Sequence, residues 1–269
     1  MAVTSAEATR GQGSITGAWL TATRYSLIEL ARNRFAVGLL IVFTPLWYFM
    51  LGALIDNAPV AFKYAPTGAM FQVNSHQLTL LTAGLNVITL IVGFLMFAQT
   101  RGGAAFDRRL ILCGYRQWTL MAAKLAGMVV VAALVALYGA LALLLFWRPD
   151  SLPLVWLGFF SAALIYGALG LLIGAVVRSE VAGFFLVIMV SLFDTFFQNP
   201  VENPLANKPV LRYFPSYGST QVMVGGGFTH GVALGGLWVA LGWAVALAAL
   251  GLLGFWLRSR AWNGARHVG

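Results

Sequence analysis

Asp194 is the residue best placed to do chemistry in this sequence. It is the one carboxylate inside a long apolar run. An ionisable group there is costly enough to imply proton or cation handling, unless water, Thr195 or Asn199 satisfies it locally. Other chemistry is sparse. His76, His230 and His267 are scattered over connections and the C-terminal tail, without the paired spacing of a zinc site, and read as solvated or interfacial. Cys113 stands alone, which excludes an internal disulfide framework and a cysteine-cluster metal site. Lys63, Lys124 and Lys208 are followed by Tyr64, Leu125 and Pro209, so none closes a glycine-rich phosphate loop and the chain is not expected to hydrolyse ATP. Gly225-Gly226-Gly227 follows no strand and reads as a flexible or tightly packed bend. With no Gly-x-Ser-x-Gly elbow and no carboxylate pair on one helix face, no catalytic residue, cofactor site or metal site is expected, and the chain is not read as an enzyme.

The elements that would position these residues are apolar throughout. The 269 residues are 60% hydrophobic and 9% charged, with a mean hydropathy of +0.83. A soluble domain carries about 25% charged residues. Six runs are long enough for a hydrocarbon core that takes about 20 helical residues to cross. They fall near 35–55, 78–98, 120–147, 152–177, 181–197 and 232–257. Backbone groups in lipid must be bonded within the segment, and the runs lack the period-2 alternation of barrel strands, so helices are expected. The fold class is therefore an all-α polytopic membrane protein with six transmembrane helices, a single domain spanning 1–269.

Charge orients it. With the N terminus inside, the inner segments hold Arg10, Arg24, Arg32, Arg34, Arg101, Arg108, Arg109, Arg116, Lys124, Arg178, Arg258, Arg260 and Arg266, leaving Lys63, Arg148, Lys208 and Arg212 outside, 13 against 4 of the 17 basic residues. That asymmetry follows the positive-inside rule and places both termini in the cytoplasm. The acidic residues divide evenly between the two sides, so the net charge of +9 is a cytoplasmic surplus and needs no nucleic-acid partner.

Residues 1–14 form a polar tail. Residues 15–34 gather Leu20, Thr23, Leu27, Leu30 and Ala31 on one side and Arg24, Glu29 and Arg32 on the other, the pattern of an amphipathic helix lying along the interface. Residues 99–119 form a compact basic loop in which Phe106 to Leu112 would make a short helix parallel to the membrane. Residues 198–231, rich in proline and carrying Val210-Leu211 and Tyr213-Phe214, are read as an outer segment that folds back towards the membrane as a re-entrant piece. Trp47-Tyr48-Phe49, Phe146-Trp147 and Phe196-Phe197 sit near span ends as interfacial anchors, with a ligand-facing aromatic wall as the alternative. Gly167, Ala168, Gly170 and Gly174 suit close helix packing.

This order of segments resembles the type-2 ABC exporter permeases over essentially the whole chain. Phe106-Asp107-Arg108-Arg109-Leu110-Ile111-Leu112-Cys113-Gly114-Tyr115-Arg116, with Lys124 beyond, is similar to the family's charged coupling segment, although Asp107 stands where such permeases often carry glutamate. Gly170 to Gly174 followed by Arg178-Ser179-Glu180, and Tyr213-Phe214-Pro215-Ser216-Tyr217, resemble its second half. The resemblance implies a bacterial inner-membrane subunit that pairs with a second permease, as homodimer or heterodimer. Each would contact a separate cytosolic ABC ATPase subunit that carries the ATP and Mg. It implies ATPase-coupling roles for Asp107, Arg108, Arg109, Arg116, Arg24, Glu29 and Arg32. The expected activity is export of a hydrophobic or amphiphilic small molecule such as a drug, natural product or lipid. The alternative is an ion-coupled secondary transporter or channel without an ATPase, with Asp194 in its pathway; a third reading is a non-transporting scaffold or sensor subunit.

Overall fold

In a computed structural model, the structure describes Arg24, Ile28 and residues 34–114, 117–229 and 234–264. Helix α1 (Arg34–Leu54) leads to a hairpin, β1 (Pro59–Lys63) and β2 (Met70–Asn74), and then to α2 (Ser75–Gly102), which α3 (Ala104–Leu112) follows almost without a break. Next come α4 (Gln117–Leu143), α5 (Leu152–Val176), α6 (Glu180–Gln198), a 3-10 turn (Pro209–Tyr213), α7 (Tyr217–Phe228) and α8 (Leu234–Gly264). Five helices, α2, α4, α5, α6 and α8, are long and apolar enough to cross a membrane, and within α1 the stretch Leu40–Leu54 is a shorter apolar helix. The chain is therefore a multi-pass helical membrane protein.

Helix starts follow local chemistry. Asn74 accepts hydrogen bonds from the backbone N–H groups of His76 and Gln77 and so caps α2, and Ser179 accepts from Ala182 N–H to cap α6. Just past the end of α3, Gly114 takes φ +90°, a backbone conformation open to glycine, and its N–H bonds to Ile111 O. Helix α4 ends at Leu143, short of the apolar run's limit at Trp147. Residues 144–146 tighten into turns whose N–H groups bond three residues back, and Pro149 disfavours helix just beyond.

The hairpin is a departure from the all-α expectation. Pro59 pairs with Asn74 and Lys63 with Met70 in antiparallel register. An exposed strand edge is an open pairing template; here side chains occupy it. Asn207 accepts from Lys63 N–H and donates to Ala61 O, while Gln221 accepts from Ala65 N–H and donates to Lys63 O.

Because lipid is as apolar as leucine, helices in a bilayer associate through close packing and hydrogen bonds. The central seam, α2 against α5, works through glycine: a Cβ on Gly170 would lie 2.2 Å from Gly93 O, and one on Gly174 would lie 2.8 Å from Thr100 Cβ. Of the small residues read from the sequence as packing positions, Gly170 and Gly174 thus sit at this seam, while a Cβ on Gly167 would first meet Met128 of α4 at 2.9 Å. Helix α1 contains Pro45, which lacks the N–H that Ile41 O would accept. Tyr138 on α4 donates to that carbonyl at 2.7 Å, and Tyr48 returns the contact by donating to Gly139 O at 3.1 Å.

Helix α7 fills the hairpin end of the bundle. Its twelve residues rise about 18 Å, too little to span a core of about 30 Å. Residues 218–227 are all buried. Gly225-Gly226-Gly227 is helix rather than a bend. Only glycine fits at 226, where a Cβ would meet Val155 N at 2.7 Å, and helix packing overrides the weak propensity. Ser151 N–H donates to Gly226 O, so the start of α5 satisfies a carbonyl at the end of α7.

Candidate functional site

A cleft of about 360 Å³ opens between α1, α2 and α6 at the hairpin half of the bundle. Trp47 and Leu51 line it from α1, Ala83 and Asn86 from α2, and Met189, Phe193 and Phe196 from α6, with Glu202 contributed by the connection after α6. This is the composition of a small-molecule site, mostly apolar with a few convergent polar groups.

A polar ladder holds its back wall. Asn199 donates to Thr82 Oγ1 at 3.1 Å, Asn86 donates to Thr195 Oγ1 at 2.8 Å, and the hydroxyls of Thr89 and Ser191 lie 2.7 Å apart. The spacing of 82, 86 and 89 on α2 against 199, 195 and 191 on the other side is one antiparallel register, with the i, i+3 and i+4 steps of a helix face. Toward the α3 end the same seam turns aromatic, with Phe94 and Phe184 stacked at 4.4 Å between ring centroids. Glu202 accepts from Asn199 and is exposed; crowding by its neighbours raises its carboxyl above the ordinary glutamate value, and the Asn199 hydrogen bond opposes the rise. Since solvent still reaches Glu202, this desolvation is partial.

Asp194 lies one ladder position away but faces the bundle interior. It is 3% exposed. Tyr166 of α5 donates its hydroxyl to Oδ2 at 2.6 Å, Ser216 N–H donates to Oδ2 at 2.9 Å, and Ser216 Oγ donates to Oδ1 at 2.8 Å. Ser216 immediately precedes α7, so the carboxylate sits at that helix's N-terminus, where the backbone dipole favours negative charge. The arrangement joins α6, α5 and α7 at one point. Thr195 and Asn199, the neighbours expected to satisfy Asp194, make other hydrogen bonds on the ladder.

At the opposite end of the bundle, α3 turns Asp107 inward, 2.9 Å from Lys124 Nζ on α4, while Phe106, Arg108 and Arg109 are exposed. Ile111 packs with Leu120, Met121 and Phe255, which fixes α3 against α4 and α8. Arg101 donates a hydrogen bond to Arg178 O and ties the end of α2 to the α5–α6 connection. Of the seven residues assigned to coupling by resemblance, the structure brings Asp107, Arg108 and Arg109 onto α3, with Asp107 internal. Arg24 is exposed and helical, and Glu29, Arg32 and Arg116 lie outside the described residues.

The cleft is not marked by any single motif. Trp47 and Phe196 have the span-end positions of interfacial anchors, with a ligand wall as the lesser alternative, yet both line it. Glu202 carries no signal beyond being an acid in a proline-rich connection. Thr82, Asn86 and Thr89 repeat at helical spacing within an apolar run, which is the available sign of a polar face. No protein-family model and no curated protein matches the chain.

Proposed function

We propose that this chain is the permease subunit of an ATP-binding-cassette exporter of the type-2 kind, moving a hydrophobic or amphiphilic small molecule across a bacterial inner membrane. On this reading α1 is the first of six spans, the α3 end and both termini face the cytoplasm, and the hairpin and α7 cap the outer side. The positive-inside charge distribution supports that orientation.

The observation that carries the proposal is α3. It is a short helix held across the ends of α2, α4 and α8 by the Asp107–Lys124 pair and the Ile111 cluster, and it leaves Phe106, Arg108 and Arg109 exposed. A partner that pushes on this surface moves three spanning helices together. A cytosolic ATPase pressing there would tilt α2 against α6 and change access to the cleft between α1, α2 and α6. Ile41, Val42 and Leu46 on α1 and Phe185, Phe193 and Phe196 on α6 are exposed, with Phe193 and Phe196 at the cleft itself, and pairing with a second permease would cover such apolar surface.

Engagement of Asp194 by three donors favours this reading over an ion-coupled carrier, in which the acid would have to exchange its ligand during each cycle. The test is ATP-dependent accumulation of a lipophilic dye in inverted membrane vesicles containing the chain and its ATPase. Accumulation that follows an ion gradient and ignores nucleotide would refute the proposal.

A further inference from the structure

We propose that the cleft between α1, α2 and α6 is selective for lipophilic cations, molecules whose positive charge is embedded in apolar groups. This deepens the exporter reading by naming its substrate class, and it rests on that reading only for the transport step after binding.

Charge carries the argument first. Among the described residues, Glu202 is the charged side chain lining the cleft, and neither lysine nor arginine lines it. A partly desolvated carboxylate with no basic side chain beside it in the cleft favours a cation over an anion of equal shape. The polar atoms of the wall agree in sign. Thr82 donates its hydroxyl to Leu78 O and Thr79 O, and Thr195 donates to Ser191 O and Leu192 O, so both hydroxyl hydrogens are committed to their own helix. Asn86 in turn donates to Thr195. The two threonine hydroxyls therefore present oxygen lone pairs rather than hydrogens, which suits a positive ligand better than an anion. Trp47, Phe193 and Phe196 supply ring faces, whose quadrupoles attract a cation within about 6 Å.

Tetraphenylphosphonium and tetraphenylborate have the same four-phenyl shape and opposite charge. Their binding is measured by equilibrium dialysis on the full chain in zwitterionic nanodiscs, with empty nanodiscs subtracted to remove partition into lipid. Saturable binding of the phosphonium and none of the borate is the expected result. E202Q should weaken phosphonium binding at least tenfold, about 1.4 kcal/mol. Glutamine keeps the oxygen that Asn199 bonds, so the fold should survive; should it not, F193A on the exposed side of the cleft should weaken phosphonium binding several-fold. Equal saturable binding of both ions, absence of saturable phosphonium binding, an unchanged phosphonium affinity in folded E202Q, or, where E202Q does not fold, an unchanged affinity in F193A would overturn the proposal. The measurement needs no ATPase. Loss of the exporter reading would therefore leave this result standing, and loss of cation preference in a chain that does recruit an ATPase would sink this inference alone.

Discussion

Replacing Asp194 tests whether that residue is a clamp or part of a pathway. Asp194→Ala removes the acceptor for Tyr166 Oη–H, Ser216 N–H and Ser216 Oγ–H, all buried. Hydrogen bonds to a charged group contribute about 1.5–3 kcal/mol each, and a donor left unsatisfied costs about 1–3 kcal/mol. The three contacts share one carboxylate and Tyr166 retains a weaker bond to Val190 O at 3.3 Å, so the losses will not add. A net loss of about 3–5 kcal/mol is expected, in the range for breaking a buried charged network. Asp194→Asn keeps one acceptor oxygen and should lose about half as much. Thermal unfolding in nanodiscs gives the total. Hydrogen exchange then locates it, since residues 217–228 should lose protection in Asp194→Ala before α2 and α5 do. A variant with unchanged stability and unchanged exchange in α7 would refute the clamp. An intact fold combined with abolished ion-driven flux in Asp194→Asn would return Asp194 to the pathway.

The same geometry sets four further outcomes. Gly170→Ala places a Cβ 2.2 Å from Gly93 O and should destabilise the α2–α5 seam by about 1–3 kcal/mol or more, whereas Gly242→Ala, with open space around it, should be neutral or gain about 0.5–1 kcal/mol in helix propensity; unfolding midpoints of the pair decide this. Tyr138→Phe should cost about 1 kcal/mol by leaving Ile41 O without its substitute donor, and an added Pro45→Ala change, which restores the helical N–H, should recover most of that loss on thermal unfolding. A double-mutant cycle on Thr89→Val and Ser191→Ala should give a coupling near 0.6 kcal/mol, roughly the average for a hydrogen bond between helices in a bilayer. For Glu202 the raised carboxyl means that the folded chain holds a proton the unfolded chain has released. Its contribution to stability is complete below the unfolded value and lost as pH rises through the folded one, and cation binding strengthens over the same rise; both trends, read by unfolding and by phosphonium binding across pH, should vanish in E202Q.

The spanning helices are legible because an apolar run of membrane length announces itself residue by residue, and helical bounds such as Glu180–Gln198 fall within a residue or two of the hydropathy estimate. What is not legible depends on partners far away in the chain. Asp194 is satisfied from positions 28 and 22 residues distant, and no local pattern marks Tyr166 or Ser216 as its ligands. Asp107 reads in sequence as part of the charged coupling segment with Arg108 and Arg109, but its helix face points it at Lys124 on the next helix. The hairpin does leave a trace, the alternation Val60, Phe62 and Phe71, Val73 around a turn where Gly68 takes φ +67°, but strands of five residues are too short to stand out beside apolar runs of membrane length. Helix α7 is hidden by its glycines, whose low propensity matters less than the close approach they permit to α5.

The exporter account stands most directly on α3. The decisive measurement is affinity purification of the chain from its native membrane in mild detergent, comparing wild type with Arg108→Ala/Arg109→Ala and with Asp107→Ala. The account predicts that a phosphate-loop ATPase co-purifies with the wild type and is lost in the double arginine variant while unfolding temperature stays the same, since both arginines are exposed. Asp107→Ala should instead lower stability by about 3–5 kcal/mol by breaking its ion pair with Lys124. Recovery of the chain with no ATPase, or an ATPase that stays bound when both arginines are gone, would contradict it.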